Sequence, residues 1–271
     1  RGLGDVYKRQ ILNNGLALKY VNPIHILENK PNEDSKINVI CLEAIRINGG
    51  ALEYIPTNFR TYDLCWKAIQ KYGDALQFVP EKFKTFELCW KAIKNSGSAL
   101  EFVPELNSIK PIYTPLLGYK NYDLCCDAIE NSGIALKYVP EKLLTYKLCL
   151  QSVQNYGYSL AYVPEKFKNY ELCWIAINID GNALNYVPEE FKTYKLCWKA
   201  IINDGSALKF VPIIHKTYEL CLESIKNGVF NDLEHIPQIH QTYELCLEFI
   251  KIDDCGSALK YIPYDLKNYE L

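Results

Sequence analysis

One motif recurs along this chain every 24 residues, and a recurrence of that length decides what the chain can fold into. Residues 61–84 read TYDLCWKAIQKYGDALQFVPEKFK and residues 85–108 begin TFELCWKAIKNSGSALEFVPEL. Residues 145–168, 169–192 and 193–216 repeat the pattern, and further copies open at Asn121, Thr217 and Thr242. A looser copy covers 37–60 and a partial one 11–21, giving about nine full units. Positions below are counted from the Thr or Asn that opens each unit.

Each unit is legible as physical chemistry. The opening Thr or Asn is a helix N-cap, and an acid often follows two places later, where the helix dipole favours it. Apolar residues at positions two, four, five, eight and nine fall on one broad helix face. Glycine at position thirteen (Gly73, Gly97, Gly133, Gly157, Gly181, Gly205) predicts a left-handed stop after a helix of about eleven residues. Ala-Leu-x-Tyr/Phe-Val-Pro then leaves room for one short turn, α or 3-10, which the proline ends. No single unit can bury its own apolar face, so the units must stack. The expected fold is all-α, a right-handed α-solenoid of ~24-residue units, each a three-turn helix plus a short second helix.

The pattern Thr-Tyr-x-Leu-Cys-x-x-Ala-Ile-x-x-x-Gly-x-Ala-Leu-x-Tyr-Val-Pro resembles the short helical tandem repeats of a domain-of-unknown-function family, number 4116, found in bacterial and giant-virus proteins. The resemblance spans nearly all of the chain beyond residue 10. It implies a helical array and supplies no activity. The unit is also similar in length to leucine-rich-variant repeats, an analogy of fold alone.

Residues 1–10, RGLGDVYKRQ, fit no repeat and resemble translated adaptor sequence at the edge of a metagenomic reading frame. Residues 11–271 read as a single repeat array, truncated at both ends. Two insertions interrupt it between proline and the next cap, near 22–38 and 105–120. Such insertions are commonly tolerated loops and sometimes binding loops. The better binding candidate is 105–120, which carries Ile112, Tyr113, Leu116 and Leu117.

Nine of the 11 cysteines stand one per unit at position five: Cys41, Cys65, Cys89, Cys125, Cys149, Cys173, Cys197, Cys221 and Cys246. Stacked helices lie ~8–10 Å apart, and a disulfide needs Cα atoms within ~7 Å, so the column reads as free, buried thiols. No Cys-x-x-Cys pair offers zinc spacing. His25, His215 and His240 sit at position twenty-three, where other units carry Phe or Leu, and read as packing residues with no metal role. The aromatic columns at positions two and eighteen, and Trp66, Trp90, Trp174 and Trp198 at position six, read as inter-repeat core rather than base-stacking platforms. Basic residues at position twenty-four (Arg60, Lys84, Lys120, Lys168, Lys192, Lys216, Lys267) and glutamates at twenty-one are expected to form a solvated ridge of weak pairs; the sharper reading is a basic rail.

Positions three, seven and ten vary freely on the remaining helix face. A constant core under a variable face is how solenoids encode recognition. The binding candidates there are Lys67, Lys91 and Lys199, with Ile175 and Ile202 as an apolar patch on adjacent units. No catalytic constellation, phosphate loop or cofactor motif emerges, so the chain is read as a non-enzyme without cofactor. Hydrophobic content of 49% and charge of 23% suit a folded protein. With 30 basic and 32 acidic residues there is no basic excess for phosphate. No apolar run approaches the ~18 residues of a membrane span.

The expected function is therefore a protein-binding scaffold, with another protein as partner, and nucleic acid and membrane disfavoured. The alternatives are a nucleic-acid-binding solenoid and an accessory array of a larger enzyme or effector. Free thiols in this number suit a reducing compartment, the cytoplasm or the interior of a host cell.

Overall fold

A computed structural model describes residues 9–10, 13–20, 36–105, 120–228 and 232–252. Among these residues every regular element is helical. The α-helices are α1 (Lys36–Ile47), α2 (Tyr62–Lys71), α3 (Phe86–Asn95), α4 (Tyr122–Asn131), α5 (Tyr146–Asn155), α6 (Tyr170–Ile179), α7 (Tyr194–Asn203), α8 (Tyr218–Asn227) and α9 (Tyr243–Ile252). The chain divides into two compact units, Arg1–Leu144 and Thr145–Leu271. The first contains α1–α4 and the second α5–α9.

Within a unit, each α-helix packs on the next, and α1–α4, α6 and α7 also pack on the six-residue 3-10 helices of both their own and the preceding repeat. The caps are as expected. Thr61 Oγ1 accepts from the Leu64 N–H at 3.3 Å, and Asn121 Oδ1 accepts from Leu124 at 2.8 Å. The short second helix is a six-residue 3-10 helix, Gly73–Phe78 in one repeat and Gly181–Tyr186 in another. A third turn, three residues of 3-10 such as Glu81–Phe83, follows the proline. Pro80 precedes this turn as its cap residue, with ψ of 140°, rather than occupying its first helical place.

The core is narrower than the apolar pattern suggests. Positions four, five, eight and nine are buried in the repeats that open at residues 61, 85, 121, 145, 169 and 193, as are Ala or Ser at fifteen, Leu at sixteen and Val at nineteen. Position two is not: Tyr62, Tyr170 and Tyr194 are 37–40% exposed. At 3.6 residues per turn, positions two and six lie roughly 90–130° from the centre of the buried arc. They flank the core instead of filling it. Tyr62 stacks on Trp66 of the same helix, ring centroids 6.3 Å apart, and meets Phe83 edge-on at 6.1 Å. The aromatic column at position two is thus a flank within each repeat and not inter-repeat core.

Glycine at position thirteen also differs from expectation. It adopts no left-handed conformation and opens the 3-10 helix instead. The preceding residue, Tyr72, ends the α-helix in extended backbone, φ −147°. Glycine is required because the next repeat presses on it. A Cβ at Gly73 would collide with the Ala92 carbonyl oxygen, and one at Gly157 would lie 2.6 Å from that of Ala176. The small residue at position eight and the glycine at thirteen are the two halves of one backbone-to-backbone contact.

Residues 106–119, the body of the second insertion, lie outside the described residues, as do 21–35 of the first. The insertion does not shift the stacking register: α3 and α4 pack as neighbours, and Gly97 meets the Ala128 carbonyl as Gly73 meets that of Ala92.

Candidate functional site

The basic column at position twenty-four is built into the structure and is not a solvated ridge. The side chains of Lys84, Lys168 and Lys192 are 8–9% exposed. Lys84 Nζ donates to the Phe102 carbonyl at 3.1 Å, Lys168 to that of Tyr186 at 3.0 Å, and Lys216 to that of His235 at 2.8 Å. Arg60 donates to the carbonyls of Ile55, Phe78 and Glu53. Arg60, Lys84, Lys168 and Lys216 therefore each bind a carbonyl at the end of the next repeat's 3-10 helix, where helix carbonyls are left open and the dipole is negative. The expected glutamate partners are present, Glu81–Lys84 at 2.7 Å and Glu165–Lys168 at 2.7 Å, but these carboxylates are over 70% exposed and contribute little.

A second clasp runs the other way. Asn95 Nδ2 donates to the Ile69 carbonyl and Asn203 Nδ2 to the Ile177 carbonyl, both at 2.6 Å. Asn131 reaches back to Ile93 and Lys94. In these three repeats the asparagine at position eleven thus caps C-terminal carbonyls of the preceding helix, whereas Asn227 bonds to Glu223 of its own helix. These bonds engage the Lys, Arg and Asn side chains named here within the fold.

The cysteine column is buried throughout. Desolvation pushes the Cys65 thiol up to about 11 and those of Cys89 and Cys125 to about 12. These thiols stay protonated near neutrality and are poor nucleophiles. Cys126 lies off the column and is partly exposed. Among the described residues, no group of three or more His, Cys, Asp or Glu is placed to hold a metal ion, and no helix is long and apolar enough to cross a membrane. His215 packs edge-on against Tyr194 at 6.3 Å.

What remains is the outward face of the α-helices, where rows six and ten of one helix meet rows three and seven of the next. Across α3 and α4, Trp90 Nε1 and Lys94 Nζ both donate to the Asp127 carboxylate at 2.9 Å. Across α6 and α7, Lys195 Nζ lies 5.3 Å from the Trp174 ring. Across α8 and α9, position six is Leu222 and Leu247 instead of Trp. There a shallow groove of about 400 Å³ opens, lined by these leucines, Tyr218, Glu244, Glu248, Lys226 and Lys251.

The sequence-derived binding residues are spread over this face rather than gathered at one point. Lys67 is exposed and pairs with Asp63 at 2.7 Å, while Lys91 is half-buried on α3. Ile175 is half-buried on α6, Lys199 half-buried on α7, and Ile202 is 43% exposed on α7. The first two belong to one compact unit and the last three to the other. Ile112, Tyr113, Leu116 and Leu117 lie outside the described residues.

Sequence reasoning missed a set of isoleucines. Ile213, Ile214 and Ile239 are 72%, 81% and 82% exposed, the most exposed large apolar side chains among the described residues. They occupy positions twenty-one and twenty-two, where other repeats carry Glu-Lys, Glu-Glu or Thr-Asn. The signal lies in the alignment of the repeats with one another, where isoleucine precedes His215 and His240 at places that are polar or charged elsewhere.

No curated protein and no solved structure matches the chain. The model of a family described as Domain of unknown function (DUF4116) matches it three times, at residues 40–84, 61–107 and 145–192. Each match covers about two of the helix, 3-10 helix and turn units described above. These segments of the chain are therefore tandem repeats of the domain-of-unknown-function family DUF4116.

Proposed function

We propose that the chain is a non-catalytic scaffold that binds another protein through the outward face of its α-helices. The observation that carries this reading is the division of labour within the repeat. Leu, Cys, a small residue and an apolar residue recur at the buried positions of α2–α8, while positions three, seven and ten carry charges of both signs, amides and isoleucine. A rigid framework with freely chosen side chains on one face suits recognition of a protein surface. The formal charge of −2 gives no support to a phosphate-binding role.

The test compares the full chain with K67E/K91E/K199E/I202E, immobilised in parallel and exposed to cell extract and to labelled single-stranded RNA. Polypeptides enriched at least tenfold on the native chain and lost from the variant support the reading. Equal retention by both proteins, or salt-sensitive RNA retention without any polypeptide, overturns it.

A further inference from the structure

We infer that the edge bearing Ile213, Ile214 and Ile239 docks a polypeptide segment of another protein that combines apolar and basic side chains. This inference rests on the scaffold reading above and places a binding surface away from the helix face. The corresponding turns elsewhere read Thr57-Asn58, Glu81-Lys82, Glu141-Lys142, Glu165-Lys166 and Glu189-Glu190, polar or charged in each case. Charged residues at these places face water. Replacing them by isoleucine in two successive repeats gains nothing for the core, because all three side chains stay more than 70% exposed. Scattered exposed apolars need no explanation; an adjacent pair, Ile213 and Ile214, with Ile239 at the place equivalent to Ile214 in the adjoining repeat, ~10 Å away, makes a patch of the kind that marks an interaction site.

The patch is held ready. The His215 N–H bonds to the Pro212 carbonyl at 2.9 Å, and the His240 N–H to that of Pro237 at 2.8 Å, closing both 3-10 turns. The inward reach of Lys216 to the His235 carbonyl ties the first turn to the following repeat. A preformed surface loses little ordering entropy on binding.

Charge names the occupant. The preceding turn offers Glu190, while its neighbour Glu189 is already paired with Lys192. Glu219, exposed at the start of α8, lies close enough to His240 to interact with it electrostatically. Glu244 holds the equivalent place on α9. Of the cations around these acids, Lys192 and Lys216 are turned inward, Lys195 lies over Trp174, and Lys226 and Lys251, which share the groove with Glu244, interact with Glu248. An apolar strip with acidic flanks is complemented by apolar side chains interspersed with Lys or Arg. A second copy of the same edge would set acid against acid.

The test uses the full chain and two fluorescent 16-residue probes, one alternating Leu and Lys, the other Leu and Glu, in anisotropy titrations at ~150 mM salt. The variant I213E/I214K/I239K carries residues that other repeats bear at these places, so its thermal midpoint should match the native chain. The native chain should bind the Leu/Lys probe at least tenfold more tightly than the Leu/Glu probe. The triple variant should lose at least tenfold of that affinity, and E190Q/E219Q/E244Q should narrow the difference between the probes. Equal binding by native and triple-variant proteins overturns the inference, as does a preference for the Leu/Glu probe. A dimer in sedimentation that the triple variant abolishes, without probe preference, also overturns it, by assigning the patch to a second copy. Cellular partners lost by the helix-face variant but kept by I213E/I214K/I239K would end this inference and leave the scaffold reading standing.

Discussion

Glycine at position thirteen and cysteine at position five recur for reasons that differ in how plainly a sequence states them. The glycine was legible as indispensable, but a left-handed stop and a close backbone approach demand the same residue. Only the Ala92 carbonyl over Gly73 separates the two. The distinction has a measurable consequence. A left-handed glycine tolerates Asn, whereas a crowded one tolerates no side chain. Gly73→Ala and Gly73→Asn should both destabilise the chain, by about 2–4 kcal/mol in urea unfolding, with Asn no better than Ala. The buried cysteines were legible because Cys among Leu, Ala and Ile at helical spacing behaves as a small hydrophobe. Their raised pKa values carry a sign. A thiol held neutral in the fold ionises near its ordinary value, about 9, once the chain unfolds. The stability it contributes is complete below about pH 9 and is lost as pH rises through 11 to 12. Urea midpoints should therefore fall steadily above pH 9. Iodoacetamide at pH 8 should alkylate Cys126 well before the nine column cysteines, and mass mapping of the labelled peptides would check this. Lysine at position twenty-four was misread because recurrence fixes residue type and not the path of a long side chain. Lys84 lays its stem inward and places only its ammonium at the Phe102 carbonyl.

At the scale of the element, the helix caps were fully legible, since Thr and Asn before an amphipathic run have one dominant use. The asparagine at position eleven was not. Asn95, Asn131 and Asn203 recur as visibly as the caps, yet a polar residue in a last helical turn ordinarily faces water. Its role depends on the neighbouring helix presenting open carbonyls within reach, which one repeat alone cannot reveal. The two kinds of residue can be separated by experiment. Thr193→Ala removes a local cap and should cost about 1 kcal/mol. Asn203→Ala leaves the Ile177 carbonyl without its donor and should cost about 1–3 kcal/mol. In hydrogen exchange, the first change should speed amides at the start of α7, while the second should also loosen α6 of the preceding repeat. Exchange confined to α7 in both variants would contradict the clasp.

For the whole molecule, the repeat period established the order and kind of the elements. It also carried the stacking across the second insertion, since α3 and α4 meet through the same glycine contact as α2 and α3. Where the array binds was far less legible. Recognition residues are by nature departures from the pattern, and Ile213, Ile214 and Ile239 depart at places already discounted as solvated. Stability of such an array is close to a sum of repeats and their interfaces. Excising residues 169–192 joins Lys168 to Thr193 and recreates an interface of the same kind. That deletion should yield a folded chain with a proportionally lower m-value, whereas removing 12 residues from the same place should abolish cooperative unfolding. Finally, the paired clasps give the junction between α2 and α3 a direction: Lys84 reaches forward to the Phe102 carbonyl, Asn95 reaches back to that of Ile69. A cut between these two repeats thus leaves unlike ends that fit each other and not themselves. Separately expressed halves severed at such a junction should recombine one-to-one in a mixture, and neither half should form a symmetric pair through its cut end.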